Sequence, residues 1–138
     1  IEMAEQVGSE NMYIFGLSAD EVQNIYRIGN KLSQEAYTNN KDLRRIMNQM
    51  IDGTLYKENT NIFNDLHNSL LYGDNGFPDP YMVLADFEDY VRIQQVISKD
   101  YQNRFEWNRK GVLNSAASGY FSSDRTIEEY NERIWNLR

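Results

Sequence analysis

The amino-acid sequence predicts a mainly α-helical fold with about six helices and one short strand near its start. Apolar side chains recur at helical spacing along most of the 138 residues, and residues that favour helix ends flank these stretches. One short run, Met12–Phe15, is apolar and β-prone and is closed by Gly16, a pattern typical of a strand. Because one strand cannot satisfy its own backbone groups, either 12–15 is not a strand or its sheet lies outside this chain.

Capping residues divide the first half of the chain into helices. Ser18 and Glu21 have the spacing of a capping box, so the first helix begins there, and Asn39 with Asn40 ends it and can cap the next. The apolar face of the first helix holds Val22, Ile25, Tyr26 and Leu32. The second helix ends near Gly53, which suits a left-handed C-terminal cap. Its stripe holds Leu43, Ile46, Met47, Met50 and Ile51. The third helix has a stripe of Ile62, Phe63, Leu66 and Leu70.

A break at 73–80 precedes the last three predicted helices. It contains both prolines of the chain and two glycines, which predicts a loop. The fourth helix carries Phe87, Tyr90, Val91, Gln94, Ile97 and Tyr101. The fifth begins near Arg104, with Gly119 past its end, and carries Trp107, Val112, Leu113, Ala116 and Ala117. The sixth has Ser123 or Asp124 as its predicted cap, with an apolar face of Ile127, Tyr130, Ile134 and Leu137. We therefore expect a leading segment with the strand at 1–17, helices at 18–72, a loop at 73–80 and helices at 81–138.

Composition excludes several classes of protein. The formal net charge is −7 at pH 7, which argues against a nucleic-acid surface because binding phosphates requires clustered Lys and Arg. There is no cysteine, so disulfides and thiolate sites are excluded. No apolar run approaches the roughly 18–20 residues of a membrane span. No basic region followed by an apolar core opens the chain, so we expect no signal peptide, and Ile1 in place of Met suggests a piece of a longer protein.

Two motifs have a possible role in a site. His67 is the only histidine and lies beside the apolar stripe of its helix. Since a lone histidine has no second metal ligand at helical spacing, we favour a structural role. Ser122, Ser123, Asp124 and Arg125 could bind a phosphate at a helix N-terminus. Without a glycine-rich cradle or a nearby lysine, we favour capping of the final helix.

Two groups of acids and the many aromatic residues could serve carbohydrate chemistry. Asp86, Glu88 and Asp89, and Glu128 with Glu129, could be paired carboxylates of a glycosidase. Neighbours on a helix point to different sides, so a solvated face is the better interpretation. Ten tyrosines, six phenylalanines and two tryptophans could stack on sugars. Most of them fall on the helical stripes, where core packing accounts for them.

Three groups of motifs follow one another from the first residue to the last. The first comprises Ile1–Glu5, Gly8–Asn11 and Tyr13–Gly16. The second comprises Leu84–Phe87 and Tyr90–Val91, and the third comprises Ser118–Ile127, Tyr130 and Ile134–Trp135. In this order they resemble the glycogen/maltodextrin (α-glucan) phosphorylase family, in particular the C-terminal part of a bacterial member. Asn108, Lys110 and Gly111 depart from the resemblance, because that helix is usually more apolar in the family.

The resemblance implies both a fold and an activity. The chain would be the C-terminal portion of the C-terminal domain of a two-domain glycosyltransferase (GT-B) α/β fold, whose sheet Met12–Phe15 would join. The last helix would cross back to the N-terminal domain. The parent enzyme would be a transferase of glycogen catabolism that uses inorganic phosphate to cleave the terminal α-1,4 bond of a glucan and yields glucose 1-phosphate. Its cofactor would be pyridoxal phosphate, held by a lysine as a Schiff base.

The resemblance also implies where the chemistry does not lie. The family's cofactor lysine, its glycine-rich stretch and its basic phosphate-binding residues all precede the position of Ile1. We therefore assign no catalytic, cofactor-binding or metal-binding residue to this chain and expect it to be inactive alone. The expected partners are the rest of the phosphorylase chain, a glucan and phosphate, in a cytoplasmic homodimer, with self-association of the isolated chain. The alternative is a free-standing helical interaction or carbohydrate-binding module.

Overall fold

Helices form most of the part of the chain that is described, residues 2–73 and 76–137 of a computed structural model. The α-helices are α1 (Glu2–Val7), α2 (Ala19–Ile28), α3 (Leu32–Asn39), α4 (Lys41–Gln49), α5 (Asn64–Leu71), α6 (Phe87–Asp100), α7 (Arg104–Ala117) and α8 (Ser123–Tyr130). Short 3₁₀ turns lie at Ser9–Asn11 and Ser118–Phe121, and a π-helical turn lies at Asn131–Trp135. The predicted mainly helical fold is confirmed. Ile1, Asp74, Asn75 and Arg138, and with them part of the predicted 73–80 loop, lie outside the described residues.

The chain divides into two units, each with its own contacts. The first is formed by Ile1–Ile14 and Ile93–Arg138, and the second by Phe15–Arg92. Helix α6 contributes residues to both units.

The core of the second unit lies where α4 and α5 meet the segment that precedes α6. Its buried centre consists of Leu43, Met47, Leu71 and Leu84. Half-buried Ala36, Tyr37, Met50, Leu70 and Phe87 pack around it. Removing a side chain of this size from water stabilises the fold by about 1.5–3 kcal/mol. The stripe predicted for α4 therefore supplies two of the central core residues.

Helix ends in the second unit follow from local capping, with two corrections. The Ser18–Glu21 capping box and the Asn40 cap of α4 are present as predicted. The single helix predicted after Ser18 is wrong, because the chain breaks after Ile28 at Gly29, whose φ is +93°. The predicted C-terminal cap at Gly53 is also wrong, since α4 already ends at Gln49 with Met50 as its cap.

The predicted strand at Met12–Phe15 does not form in the described part of the chain. The segment starts extended, with φ −126° and ψ 163° at Met12. The backbone N–H groups of Tyr13, Ile14 and Phe15 bond to no described residue. A strand needs a neighbouring strand to complete its ladder, so this apolar, β-prone run forms no regular secondary structure here.

A short helix at the start of the chain was not predicted. Helix α1 has only six residues, too few for a clear apolar period, and it buries none of them. It is joined to the rest of the first unit by Asn11, whose side chain is buried and donates to the Val7 carbonyl at 2.8 Å. Asn114 of α7 in turn donates to the Asn11 carbonyl at 2.9 Å.

A network of hydrogen bonds around Asp79 fixes the segment that leads into α6. The carboxylate of fully buried Asp79 accepts from the hydroxyl of Ser33 at 3.1 Å. It also accepts from the backbone N–H groups of Val83 at 2.9 Å and Leu84 at 2.7 Å. Asp79 and Met82 have φ of +47° and +58°, a region that residues other than glycine seldom adopt. These hydrogen bonds stabilise the positive φ angles of Asp79 and Met82, which the two residues would not favour on their own.

Candidate functional site

A cluster of polar groups in the first unit brings together Tyr13, Asp100 and Lys110. The Tyr13 hydroxyl donates to Asp100 Oδ2 at 3.0 Å, and the Lys110 ammonium donates to the same oxygen at 3.0 Å. Lys110 Nζ also lies 4.7 Å from the centre of the Tyr13 ring, a cation–π distance. The Trp107 ring stacks on Tyr13 at 6.0 Å between ring centres. Beside these residues is an open cavity of about 360 Å³, which Asn114 also lines.

The hydrogen bonds of this cluster, together with burial of Tyr13, shift the pKa of each of its members. The bond from Lys110, and then the bond from Tyr13, lowers the pKa of Asp100. The same carboxylate raises the pKa of Lys110. Burial, and then the bond to Asp100, raises the pKa of Tyr13. The three groups therefore form a carboxylate, an ammonium and a neutral phenol at neutral pH.

This arrangement fits a structural role for the cluster better than a role in covalent catalysis. A lysine that forms a Schiff base reacts as the free amine, which requires a lowered pKa, whereas Lys110 is stabilised as the ammonium. Sequence reasoning did not find the cluster, because Tyr13 and Asp100 lie 87 positions apart. The only signal was that Lys110 occupies a helix expected to be more apolar.

Two acids at the start of α6 bind backbone N–H groups of a preceding segment and do not form a catalytic pair. Asp86 accepts from the backbone N–H of Leu17 at 2.9 Å, and Asp89 accepts from that of Gly16 at 2.9 Å. The ion pair with Arg92, and then the Gly16 bond, lowers the pKa of Asp89. The solvated face expected here is thus incomplete as a description, because two of its acids bind backbone amides.

Glu88, the third acid of this group, and the two acids on α8 do not form a catalytic pair either. Glu88 accepts from the Asn40 side chain at 3.0 Å. Glu129 pairs with Arg125 and, at 3.4 Å, with Arg133, while Glu128 is exposed. None of these contacts joins two carboxylates around a common space.

The start of the final helix is a cap, but not at the predicted residue. Ser122, and not Ser123 or Asp124, is the cap of α8, and its hydroxyl accepts from the Arg125 N–H at 3.3 Å. The Arg125 guanidinium donates to the Tyr120 carbonyl and to Glu129, and lies 4.0 Å from the centre of the Tyr120 ring. Because these contacts already occupy the guanidinium, the arrangement does not favour the phosphate hypothesis.

His67 is buried on α5 without a clear partner. Its Nδ1 lies 3.5 Å from the Asn68 side-chain oxygen, and its Nε2 is buried with no hydrogen-bond partner among the described residues. Within 2–73 and 76–137, no group of three or more His, Cys, Asp and Glu could hold a metal ion. Over the same residues, no helix is long and apolar enough to cross a membrane.

Many of the aromatic side chains pair with one another inside a unit. The pairs are Tyr13–Trp107, Phe15–Tyr90, Tyr26–Phe77, Tyr101–Trp107, Tyr120–Phe121 and Tyr130–Trp135. Such ring pairs stabilise packing beyond the area they bury. Tyr81 forms no such pair within the described chain and is almost fully exposed.

Comparison with known proteins agrees with the motifs. The chain matches the Phosphorylase family model, described as carbohydrate phosphorylase, over residues 1–137. It is 39% identical to glycogen phosphorylase of Bacillus subtilis (strain 168) over 138 residues, which is 100% of this chain and 17% of that protein. It is 37% identical to the muscle form of glycogen phosphorylase from Homo sapiens over 137 residues, 99% of this chain and 16% of that protein. It is 38% identical to the muscle form of glycogen phosphorylase from Oryctolagus cuniculus over 137 residues, again 99% of this chain and 16% of that protein.

These matches define both the family and its extent. The chain spans about a sixth of the length of the curated relatives it matches. Because the family match covers nearly every residue, the chain belongs to the carbohydrate phosphorylase family.

Proposed function

We propose that this chain is the C-terminal part of a glycogen or maltodextrin phosphorylase that acts in the cytoplasm as a homodimer. The parent enzyme transfers the terminal glucosyl unit of an α-1,4-glucan to inorganic phosphate. The glycosidic C–O bond breaks, and the glucosyl carbon bonds to a phosphate oxygen with its configuration retained. The oxygen of the shortened glucan leaves with a proton that the phosphate supplies, and the other product is glucose 1-phosphate. The observation that carries the proposal is the family match along residues 1–137.

The proposed place of the chain is in the C-terminal domain of a GT-B fold. The segment at 12–15 supports this, because the backbone N–H groups of Tyr13, Ile14 and Phe15 have no partner among the described residues. Ile14 and Phe15 are also exposed. A sheet supplied by the rest of the domain would satisfy both the amides and the apolar side chains.

The described lysines do not fit the pyridoxal phosphate that the parent would carry. Lys31, Lys41, Lys57 and Lys99 are exposed, and Lys110 is held as an ammonium by Asp100. None has the desolvated or cation-flanked setting that yields a reactive amine. The proposal therefore assigns the cofactor and the catalytic groups to the remainder of the parent, and gives this chain the role of a scaffold.

A segment exchange tests the proposal. The matching segment of the Bacillus subtilis relative is replaced by this chain, and the chimera is incubated with pyridoxal phosphate, maltoheptaose and phosphate. We expect glucose 1-phosphate from the chimera. The isolated chain should give no more product than a heat-killed sample.

The control is the relative with its matching segment deleted, which should be inactive. A folded chimera that makes no glucose 1-phosphate would overturn the proposed parent activity. Product from the isolated chain would overturn the scaffold role.

A further inference from the structure

In the second unit, Tyr81 makes no hydrogen bond or ring contact with the described residues, although the residues on either side of it are held by hydrogen bonds. Its side chain is 84% exposed. Neither its hydroxyl nor its backbone N–H and C=O has a hydrogen-bond partner among the described residues. The ring, the phenol and the peptide groups are all available to a ligand.

The residues on either side of Tyr81 are tightly held. The carbonyl of Pro80 accepts from the Tyr26 hydroxyl at 2.5 Å. The Met82 N–H donates to the Asp79 carbonyl at 3.0 Å, and the Met82 side chain is buried. The Asp79 carboxylate binds the next two backbone N–H groups, as described above.

A second layer supports this arrangement. The buried Asn30 side chain donates to the carbonyls of Pro78 at 3.0 Å and Asp79 at 3.3 Å. Asp79 and Met82 nevertheless keep positive φ angles. Strain of this kind persists only where surrounding bonds over-determine it, and it is concentrated at ligand-binding segments. Here its result is that an aromatic ring is presented to solvent on a rigid base.

The chemistry of the segment selects a neutral ligand. Residues 76–84 contain one charged side chain, Asp79, and that carboxylate is fully buried and already bonded. In the same segment, the Phe77 ring stacks on Tyr26 at 4.9 Å with an interplanar angle of 6°. A pyranose ring offers an apolar C–H face for stacking and hydroxyls for the free N–H, C=O and phenol.

We infer that Tyr81 is a stacking residue for a glucosyl unit of the α-1,4-glucan, an inference that rests on the proposed function. Since the segment is already rigid, binding requires little additional ordering of the chain. Tyr81 acts by contact with the sugar and takes no part in bond cleavage.

Kinetics of the chimera test this role. Tyr81→Ala should raise KM for maltoheptaose about tenfold, the effect expected of one lost aromatic stack. The kcat and the KM for phosphate should stay unchanged. Tyr81→Trp, which keeps a stacking face, should retain the original KM. The matched control is Tyr72→Ala, because Tyr72 is a 61% exposed tyrosine of the same unit, and it should have no effect.

A binding measurement does not depend on activity. In proton NMR of the 138-residue chain, the Tyr81 ring signals should shift with maltoheptaose, whereas those of Tyr72 should not. No shift at Tyr81, or a KM indifferent to Tyr81→Ala, overturns the inference. A lower Tm of the Tyr81→Ala chimera without a sugar-dependent shift would also overturn it, because Tyr81 would then pack on protein. An inactive chimera alone counts against the proposed function only.

Discussion

The backbone N–H of Gly16 donates a hydrogen bond to the Asp89 carboxylate at 2.9 Å. The next N–H, that of Leu17, donates to Asp86 at 2.9 Å. Asp86, which immediately precedes α6, and Asp89, in its first turn, therefore bind two consecutive amides near the start of the second unit. Gly16 has a φ of +85°, and a Cβ there would lie 2.4 Å from Asp86 Oδ2. The positive φ favours glycine, and a Cβ would also push the Asp86 carboxylate away from its bond to Leu17.

Gly16→Ala should accordingly destabilise the chain by about 1–3 kcal/mol, the usual range for a strained non-glycine residue. Urea titration followed by circular dichroism measures the loss. Gly111→Ala is the matched control, because Gly111 lies inside α7 with nothing within 4 Å of a Cβ. It should stabilise the chain by about 0.5–1 kcal/mol. Equal effects of the two variants would contradict this account.

The Asp100–Lys110 ion pair should make the free energy of unfolding depend on pH in the acidic range. Folding lowers the pKa of Asp100 below its ordinary value of 3.8. Its contribution is therefore fully present above that value and is lost as pH falls through the lower, folded pKa. Asp100→Asn should be less stable than the original chain at pH 7, and the difference should shrink below about pH 4. Urea titrations from pH 7 to pH 2.5 measure it, and a difference that does not vary with pH would count against the pair.

The cap of α8 is tested by two neighbouring serines. Ser122→Ala should cost about 1 kcal/mol, because it removes the acceptor for the Arg125 N–H. Ser123→Ala should have little effect, since Ser123 is the first residue inside the helix. The free energy of unfolding of each variant distinguishes them, and a larger loss from Ser123→Ala would restore the cap predicted from sequence.

Local signals could be predicted from the sequence, whereas long-range ones could not. The Ser18 and Asn40 caps bond to amides two or three residues away, so residue type and spacing suffice. By contrast, the side chain of Asn30, just after the break at Gly29, bonds to carbonyls 48 and 49 positions away. The polar cluster likewise joins Tyr13 to Lys110 across 97 positions. No periodicity in the sequence encodes such pairs.

The unpartnered Nε2 of His67 is a further test of the structural role. A buried polar group without a partner costs about 1–3 kcal/mol. His67→Leu should therefore leave the chain equally or more stable in urea, with the chimera still active. A stable but inactive His67→Leu chimera would instead show that the imidazole serves the site of the parent enzyme.

The isolated chain should self-associate. The backbone N–H groups of Tyr13, Ile14 and Phe15 bond to no described residue, and the Ile14 and Phe15 side chains are exposed, so this segment can pair with a second copy. At the other end of the chain, Ile134, Trp135 and Leu137 are exposed and add apolar surface that favours association. The net charge of −7 opposes association at low salt. The association constant should therefore rise with ionic strength as the repulsion is screened.

Sedimentation at several protein and salt concentrations measures this association. Ile14→Lys should weaken it, because a charge at an exposed edge discourages pairing. Leu55→Lys makes the same change of charge at another exposed apolar residue, and should weaken association less. Equal weakening by both variants would mean that association does not depend on the 12–15 segment in particular. A strict monomer under all conditions, with the amides of 12–15 protected from exchange, would mean that the chain closes its own core.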